Sequence, residues 1–222
     1  MYPVRDTSEE RKDGRPPGRS WLPAVVLTAI MVVLLALVAD ITIRHTTFET
    51  LTSKTELAED RAIWDPLFRE ERYFESCVAP EWDNMSEQER RDALLVLREA
   101  TSRAHAELLR YRGATRDIIV MPWHRSLGRA KARIEEHWDV WLGSLDRTVE
   151  ALSTSATSED ATAAAIEWLT VQEGDSAAIH GTYLAARDAF FEADPPLDWF
   201  GLETRSEAIF DDEARPTPVP SC

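Results

Sequence analysis

The chain contains too few cysteines, glycines and basic residues for several common classes of protein. Its 222 residues include two cysteines and eight glycines, and 25 basic residues stand against 40 acidic ones, which gives a formal net charge of −15. Phosphate backbones attract basic surfaces, so this balance excludes a general nucleic-acid binder. Two cysteines exclude a cysteine-rich zinc site and a dense disulfide scaffold. Few glycines argue against an all-β fold with many tight turns.

Sequence motifs for catalysis and cofactor binding are also missing. The chain has no H-E-x-x-H, no G-x-S-x-G, no P-loop and no glycine-rich dinucleotide motif. No two of the five histidines lie three or four residues apart, so no helix presents a pair of imidazoles to a metal ion. The sequence therefore predicts a protein that is not an enzyme and that holds no cofactor or metal.

One long apolar segment predicts a membrane anchor. Residues 22–39 carry no charge, and as a helix they span about 27 Å, close to the ~30 Å hydrocarbon core of a bilayer. We predict a transmembrane helix over residues 21–43 that contacts membrane lipid, with Arg19, Trp21 and Arg44 at the membrane interfaces. The alternatives are a buried core helix and a cleaved signal peptide, although Leu37 makes a poor cleavage site before Ala39.

The charges that flank this segment predict its orientation. Residues 1–20 carry five basic side chains, whereas residues 40–60 carry two. Because the more basic flank stays in the cytoplasm, we expect a flexible cytoplasmic tail over residues 1–20. Residues 44–214 are then an extracytoplasmic domain, followed by an extended tail over residues 215–222.

The two cysteines would both lie in an oxidising compartment. A disulfide between Cys77 and Cys222 would close a loop of roughly 145 residues, for which chain entropy allows ~4–5 kcal/mol of stabilisation. Two free thiols, or an intermolecular bridge through Cys222, are the alternatives.

Helical signals dominate the outer domain. Ser86 and Glu89 form a capping box before a helix that we expect to end at Gly113. A second long helix is predicted from near Pro122 to about Leu152. The buried stripe of the first helix is Leu94, Leu97, Thr101, Ala104, Leu108 and Tyr111, and that of the second is Leu127, Ile134, Trp138, Trp141, Leu145 and Leu152.

The remaining residues predict shorter helices. We expect a loop at residues 153–158, a helix capped by Ser158 that ends near Gly174, another capped by Asp175 or Ser176, and a short last helix over residues 204–212. Residues 45–75 are compatible with an outward extension of the membrane helix, which Pro66 should kink or restart. The predicted fold is all-α: one N-terminal transmembrane helix followed by an extracytoplasmic helical bundle of four to six helices.

Seven of the eight tryptophans fall in the outer domain. We expect them to fill the core with their indole N–H groups hydrogen-bonded. They are Trp64, Trp82, Trp123, Trp138, Trp141, Trp168 and Trp199.

Charge is distributed unevenly along the chain. Residues 98–133 contain nine basic and three acidic residues, whereas residues 150–222 contain three arginines and fifteen acidic residues. Within the basic segment at residues 116–133, three arginines at helical spacing follow the apolar residues 118–123. We predict that this segment binds a protein partner or anionic lipid through Trp123, His124, Arg125, Arg129 and Arg133. The alternative is internal packing of the basic residues against the acidic C-terminal helices.

These observations leave three functional hypotheses. The first is a membrane-anchored extracytoplasmic helical module that binds or assists a membrane or envelope assembly. The second is an anchored enzyme whose active site joins Glu135, Asp139 and His105 from separate helices. The third is a helical ligand-binding sensor that signals through a partner, because a tail of 20 residues is too short for a signalling domain. We interpret the cluster of Glu135, Glu136, His137 and Asp139 as a solvated helix face.

Overall fold

A computed structural model describes residues 21–157 and 160–193. Over this part the chain is helical and contains no strand, so the all-α prediction is confirmed there. The α-helices are α1 (Leu22–Ala58), α2 (Arg69–Tyr73), α3 (Glu87–Arg116), α4 (Arg125–Thr157) and α5 (Ala161–Ala193). The predictions for residues 1–20, for the last helix at residues 204–212 and for the tail at residues 215–222 lie outside the described residues.

The chain divides into two compact units, and the boundary falls between Ile41 and Thr42. The first unit contains the apolar segment of α1. Among the described residues, this is the one helix long and apolar enough to cross a membrane, and none of its apolar window is buried. Aliphatic side chains point outward on every side of it, as they do on a helix surrounded by lipid.

The second unit begins with the rest of α1, which leads without a loop into a π-helical segment, Glu59–Phe68. Pro66 lies inside that segment. A proline here has no N–H to donate, and its ring collides with the preceding turn of an α-helix. Both effects favour the wider π-helix that the chain forms at the point where a kink or restart was predicted. After α2 the chain forms a second π-helical segment, Phe74–Val78, and then a 3₁₀ helix, Ala79–Asn84.

Helix α3 begins as predicted but ends later. The Glu89 N–H donates to Ser86 Oγ at 3.3 Å, and the Ser86 N–H donates to Glu89 Oε2 at 2.7 Å, so the capping box is confirmed. The predicted stripe is buried throughout. The end at Gly113 is wrong, because α3 continues to Arg116. Lys131 Nζ, from α4, donates to the carbonyls of Arg116 and Ile118 at 2.7 Å each and satisfies the end of the helix.

Helix α4 is longer and begins later than predicted. It starts at Arg125 and ends at Thr157. The predicted loop at residues 153–158 is therefore wrong for residues 153–157, which are helical. The Ser153 hydroxyl donates to the Val149 carbonyl at 2.6 Å, which lets this polar residue remain helical. The predicted stripe is buried except for Trp141, which is half-buried.

The predicted break near Gly174 is also wrong, because α5 runs through it. Arg147 of α4 donates two hydrogen bonds to the Asp175 carboxylate, at 3.1 and 2.7 Å, so Asp175 links two helices and caps none. Packing along α4 outweighs the ~1 kcal/mol that a glycine costs inside a helix. Helix α5 is capped by Asp160, whose carboxylate accepts from the backbone N–H groups of residues 162 and 163. The predicted cap, Ser158, lies outside the described residues.

The tryptophans differ in their surroundings. Trp138 and Trp168 are fully buried, one in each of two apolar clusters, and the Trp82 N–H donates to Thr162 Oγ1 at 3.3 Å. Two parts of the prediction are wrong. Trp123 is 64% exposed, and the buried Nε1 of Trp138 has no hydrogen-bond partner among the residues that the structure describes. The side chain of Trp64 and all of Trp199 lie outside the described residues.

Candidate functional site

A cavity of about 550 Å³ lies inside the second unit. One wall is formed by the two π-helical segments and α2, and the other by α4 and α5. Its volume falls within the range of cavities that hold small molecules in proteins, about 300–1,000 Å³. It is therefore the candidate functional site of the described residues.

The cavity follows from the way the helices pack. The first π-helical segment packs on α3, and α4 packs on both α3 and α5, so the cavity lies between the π-helical segments and the α4–α5 pair. Phe48 and Phe190 meet nearer the start of the bundle, with ring centroids 6.1 Å apart. Further along, the Gln172 side chain of α5 donates to the Glu71 carboxyl of α2. These two contacts join the walls on either side of the cavity.

The lining contains three carboxyl groups, those of Glu59, Glu71 and Glu75, and one guanidinium, that of Arg72. Two imidazoles, His137 and His180, also line it. Burial and the neighbouring carboxylate of Glu75 raise the pKa of Glu71 from 4.5 to about 7, against the hydrogen bond from Gln172, which lowers it. Near neutral pH the Glu71 carboxyl is therefore half ionised, and a nearby cation favours its charged form.

His137 contributes a neutral imidazole to the same wall. It is 2% exposed, and burial lowers its pKa from 6.5 to about 4. Its Nδ1 lies 2.9 Å from Thr182 Oγ1, and that hydroxyl is within donating distance of the carbonyls of Ala178 and Ile179, at 3.1 and 3.0 Å. Because the hydroxyl proton goes to a carbonyl, we assign the ring proton to Nδ1, which leaves Nε2 as a hydrogen-bond acceptor.

Aromatic rings complete the lining. Phe68 and Trp141 meet edge to face with ring centroids 6.3 Å apart, and Tyr183 lies 6.0 Å from the His137 ring. Apolar side chains, among them Ile63 and Leu145, cover the remaining wall. A ligand here meets both apolar surface and acceptor groups.

The predicted binding residues of the basic segment lie elsewhere. Trp123 and Arg125 are exposed, whereas His124 is buried. Arg129 Nη2 of α4 lies 2.9 Å from Glu192 Oε2 of α5. Arg133 Nη1 lies 2.6 Å from Glu136 Oε2, and both of these residues belong to α4. Internal pairing with an acidic C-terminal helix therefore occurs at Arg129, while Arg133 pairs within α4.

The three residues suggested for an active site are not brought together. Glu135 lies 3.8 Å from Lys131, Asp139 forms an ion pair with Arg112, and His105 Nε2 lies 3.1 Å from Asp146. None of the three lines the cavity. Within residues 21–157 and 160–193, no three or more histidine, cysteine, aspartate or glutamate side chains are placed so that they could hold a metal ion together.

The predicted interface and disulfide residues are only partly described. Trp21 is exposed at the start of α1. Arg44 is half-buried and donates to the carbonyl of Ala193, the last residue of α5, at 3.2 Å. Arg19 and Cys222 lie outside the described residues, so the pairing of Cys77 with Cys222 stays a prediction.

The cavity was not predicted from the sequence. The prediction that His137 belongs to a solvated face is wrong, because the ring is buried against Thr182 and Tyr183. Two signals pointed to the site: Glu71 and Glu75, which lie four residues apart, and Pro66 within a helical pattern. The distant residues of α5 that complete the cavity carried no local signal.

Comparison with protein-family profiles, curated proteins and solved structures finds no match to this chain.

Proposed function

We propose that this protein is a single-pass, membrane-anchored binding module that takes a small organic cation with an apolar body into its cavity. Its N-terminus is cytoplasmic, its helical bundle is extracytoplasmic, and it serves a membrane or envelope assembly. The observation that carries the ligand proposal is the convergence of three carboxyl groups, a neutral imidazole and aromatic rings on one cavity of about 550 Å³.

The anchor is supported by the apolar segment of α1, which is long enough to span a bilayer and is not buried. The orientation is supported by the flanking charge: residues 1–20 contain five basic side chains and residues 40–60 contain two, and the more basic flank stays in the cytoplasm.

The charge and chemistry of the cavity favour a cation over other ligands. An ammonium group can donate to the carboxylates and to His137 Nε2, and its charge is attracted to the faces of aromatic rings such as Trp141. A carboxylate ligand would meet three carboxyl groups and only one guanidinium, that of Arg72. A neutral polar ligand would leave the three carboxyl groups with one guanidinium, that of Arg72, as their counter-charge.

The test is thermal unfolding of the full chain in nanodiscs with three probes of similar size: 2-phenylethylamine, 3-phenylpropionate and 2-phenylethanol. We expect the amine to raise the midpoint, by the equivalent of about 2.7 kcal/mol at a hundred times its Kd. The carboxylate and the alcohol should leave the midpoint unchanged. Equal effects of the amine and the carboxylate, or no effect of any probe, would contradict the proposal.

A matched pair of variants locates the binding site. In Glu71→Gln we expect roughly tenfold weaker binding of the amine, because about 1.4 kcal/mol of attraction between partly buried charges corresponds to a factor of ten. In Glu136→Gln, an exposed α4 position that does not line the cavity, we expect unchanged affinity. Equal losses in both variants would show a general effect of charge and not a cavity site.

A further inference from the structure

The connection between α3 and α4 lies at the end of the bundle where the chain enters it. Arg44 donates to the carbonyl of Ala193, and Arg129 pairs with the adjacent residue of α5, Glu192. Arg129 is therefore level with Arg44. At 1.5 Å per residue, Arg125 lies about 6 Å further toward this end.

This connection projects apolar side chains into solvent. Ile118 and Val120 pack on the core, whereas Ile119, which lies between them in the chain, is 79% exposed. Trp123 is 64% exposed. The hydrogen bond from Lys131 to the Ile118 carbonyl holds the chain in this arrangement. The exposed apolar tip is thus fixed by the fold.

Basic residues surround the tip in a domain that is otherwise acidic. Between residues 108 and 134 the chain has seven basic residues and a single acidic one, Asp117. The side chains of Arg116 and Arg125 flank the connection and are exposed. An anionic surface would therefore attract this end of the bundle and repel the acidic remainder.

We propose that the connection at residues 117–124 rests on the bilayer, with Ile119 and Trp123 in the interfacial layer and Arg116 and Arg125 against phosphates of anionic lipids. This inference rests on the membrane anchor of the proposed function and is independent of the cavity. The chain order supports this placement, because Thr42, the first residue of the second unit, directly follows the apolar segment, and Arg44 lies two residues further on. Aromatic, aliphatic and arginine side chains together suit that layer.

The test places a photo-cross-linking amino acid, p-benzoylphenylalanine, at single positions of the full chain in nanodiscs of phosphatidylcholine and phosphatidylglycerol. The positions are Ile119, Leu34 in the apolar segment, and Ile166, an equally apolar exposed residue about 40 Å from Ala193 along α5. After irradiation, intact mass reports lipid adducts. We expect adducts at positions 34 and 119 and none at position 166.

The three positions separate the possible failures. Adducts at position 34 without adducts at position 119 would overturn this inference and leave the anchor standing. No adduct at either position would overturn the anchor as well. Equal yields at positions 119 and 166 would show that the tip has no special contact. Cross-linking of position 119 to another protein in native membranes, in place of lipid, would make this surface a protein-docking site and overturn the inference.

A charge variant tests the arginines. In Arg116→Glu/Arg125→Glu we expect the lipid adduct at position 119 to fall at least threefold in nanodiscs that contain phosphatidylglycerol and to change little in phosphatidylcholine alone. The control is Arg103→Glu, an exposed α3 position about 20 Å further from the connection. The midpoint of thermal unfolding checks that each variant is folded. An equal fall with the control would contradict a role for these two arginines.

Discussion

The Gln172 side chain of α5 donates a hydrogen bond to the Glu71 carboxyl of α2 and so joins the two walls of the cavity. This bond favours the ionised carboxylate, whereas burial and the nearby Glu75 carboxylate oppose ionisation more strongly. The balance leaves the pKa of Glu71 at about 7. The first two of the five predictions below concern Glu71 and His137, which line the same cavity.

Replacing Glu71 with glutamine should remove a pH-dependent loss of stability. The pKa of Glu71 is about 7 in the folded chain against 4.5 as the ordinary value, so the folded state binds more protons between these pH values. The free energy of unfolding therefore falls as pH rises from about 4.5 to about 7. At pH 8 we expect Glu71→Gln to be more stable than the original chain by about 1–3 kcal/mol, with little difference at pH 4.5. Urea unfolding at both pH values measures this, and Glu136→Gln is the control. A constant difference across the range would contradict the prediction.

His137 should make the free energy of unfolding depend on pH in the opposite direction. Its pKa is about 4 in the folded chain against 6.5 ordinarily, so the unfolded chain binds more protons and stability is lost as pH falls from 6.5 toward 4. His137→Asn keeps a side-chain N–H for Thr182, and we expect it to lose about 1–2 kcal/mol at pH 7 from the smaller volume. Its stability should fall less steeply below pH 6.5. A slope equal to that of the original chain would show that His137 is not the group responsible.

Pro66 should separate stability from binding. In Pro66→Ala the chain regains a backbone N–H, and a helix interior favours alanine over proline by about 3 kcal/mol. We expect a higher unfolding midpoint together with weaker binding of 2-phenylethylamine, because a regular α-helix would turn the cavity-lining residues away. Pro80→Ala is the matched control, since proline is tolerated in the first turn of the 3₁₀ helix where Pro80 lies. Retained affinity in Pro66→Ala would show that the wide winding does not shape the site.

The membrane topology can be tested on intact cells. With an epitope tag after Cys222, external protease should digest the bundle and remove the tag, whereas a tag before Met1 should survive until the membrane is permeabilised. Protection of the C-terminal tag would contradict an extracytoplasmic bundle. A mature chain that begins after the apolar segment would contradict the anchor.

The disulfide has a direct chemical test. Peptide mapping without a reducing agent should yield one cross-linked fragment containing Cys77 and Cys222. We expect Cys77→Ser to lower the free energy of unfolding by about 2–4 kcal/mol, the usual range for such a bond. A disulfide-linked dimer through Cys222 on a non-reducing gel would support the intermolecular alternative instead.

Local sequence signals were reliable where a short stretch of chain decides the structure. Ser86 and Glu89 fixed the start of α3, and the spacing from Leu94 to Tyr111 identified its buried stripe, because both depend on residues within a few turns. The predicted ends were less accurate. Gly113 and Gly174 both lie inside helices, because Lys131 and Arg147 of α4 contact the chain just beyond each glycine and stabilise the continued helix there.

The cavity could not be predicted for the same reason. It depends on how far the π-helical segments stand from α5, and Glu71 and Gln172 meet although they are far apart in the sequence. The burial of His137 likewise depends on Thr182 and Tyr183, which belong to another helix. The exposed tip of residues 118–123 was visible as a run of apolar residues, but the alternation that buries Ile118 and exposes Ile119 appears only in the folded chain.

A carboxyl group that titrates at about pH 7 also couples occupancy to acidity. When a cation enters and drives Glu71 to its charged form, about half a proton must leave at neutral pH. Calorimetric heats would then differ between buffers of unequal protonation enthalpy, and affinity would decline as the surroundings acidify. Such a module would release its ligand in acid and retain it at neutral pH without any change of fold.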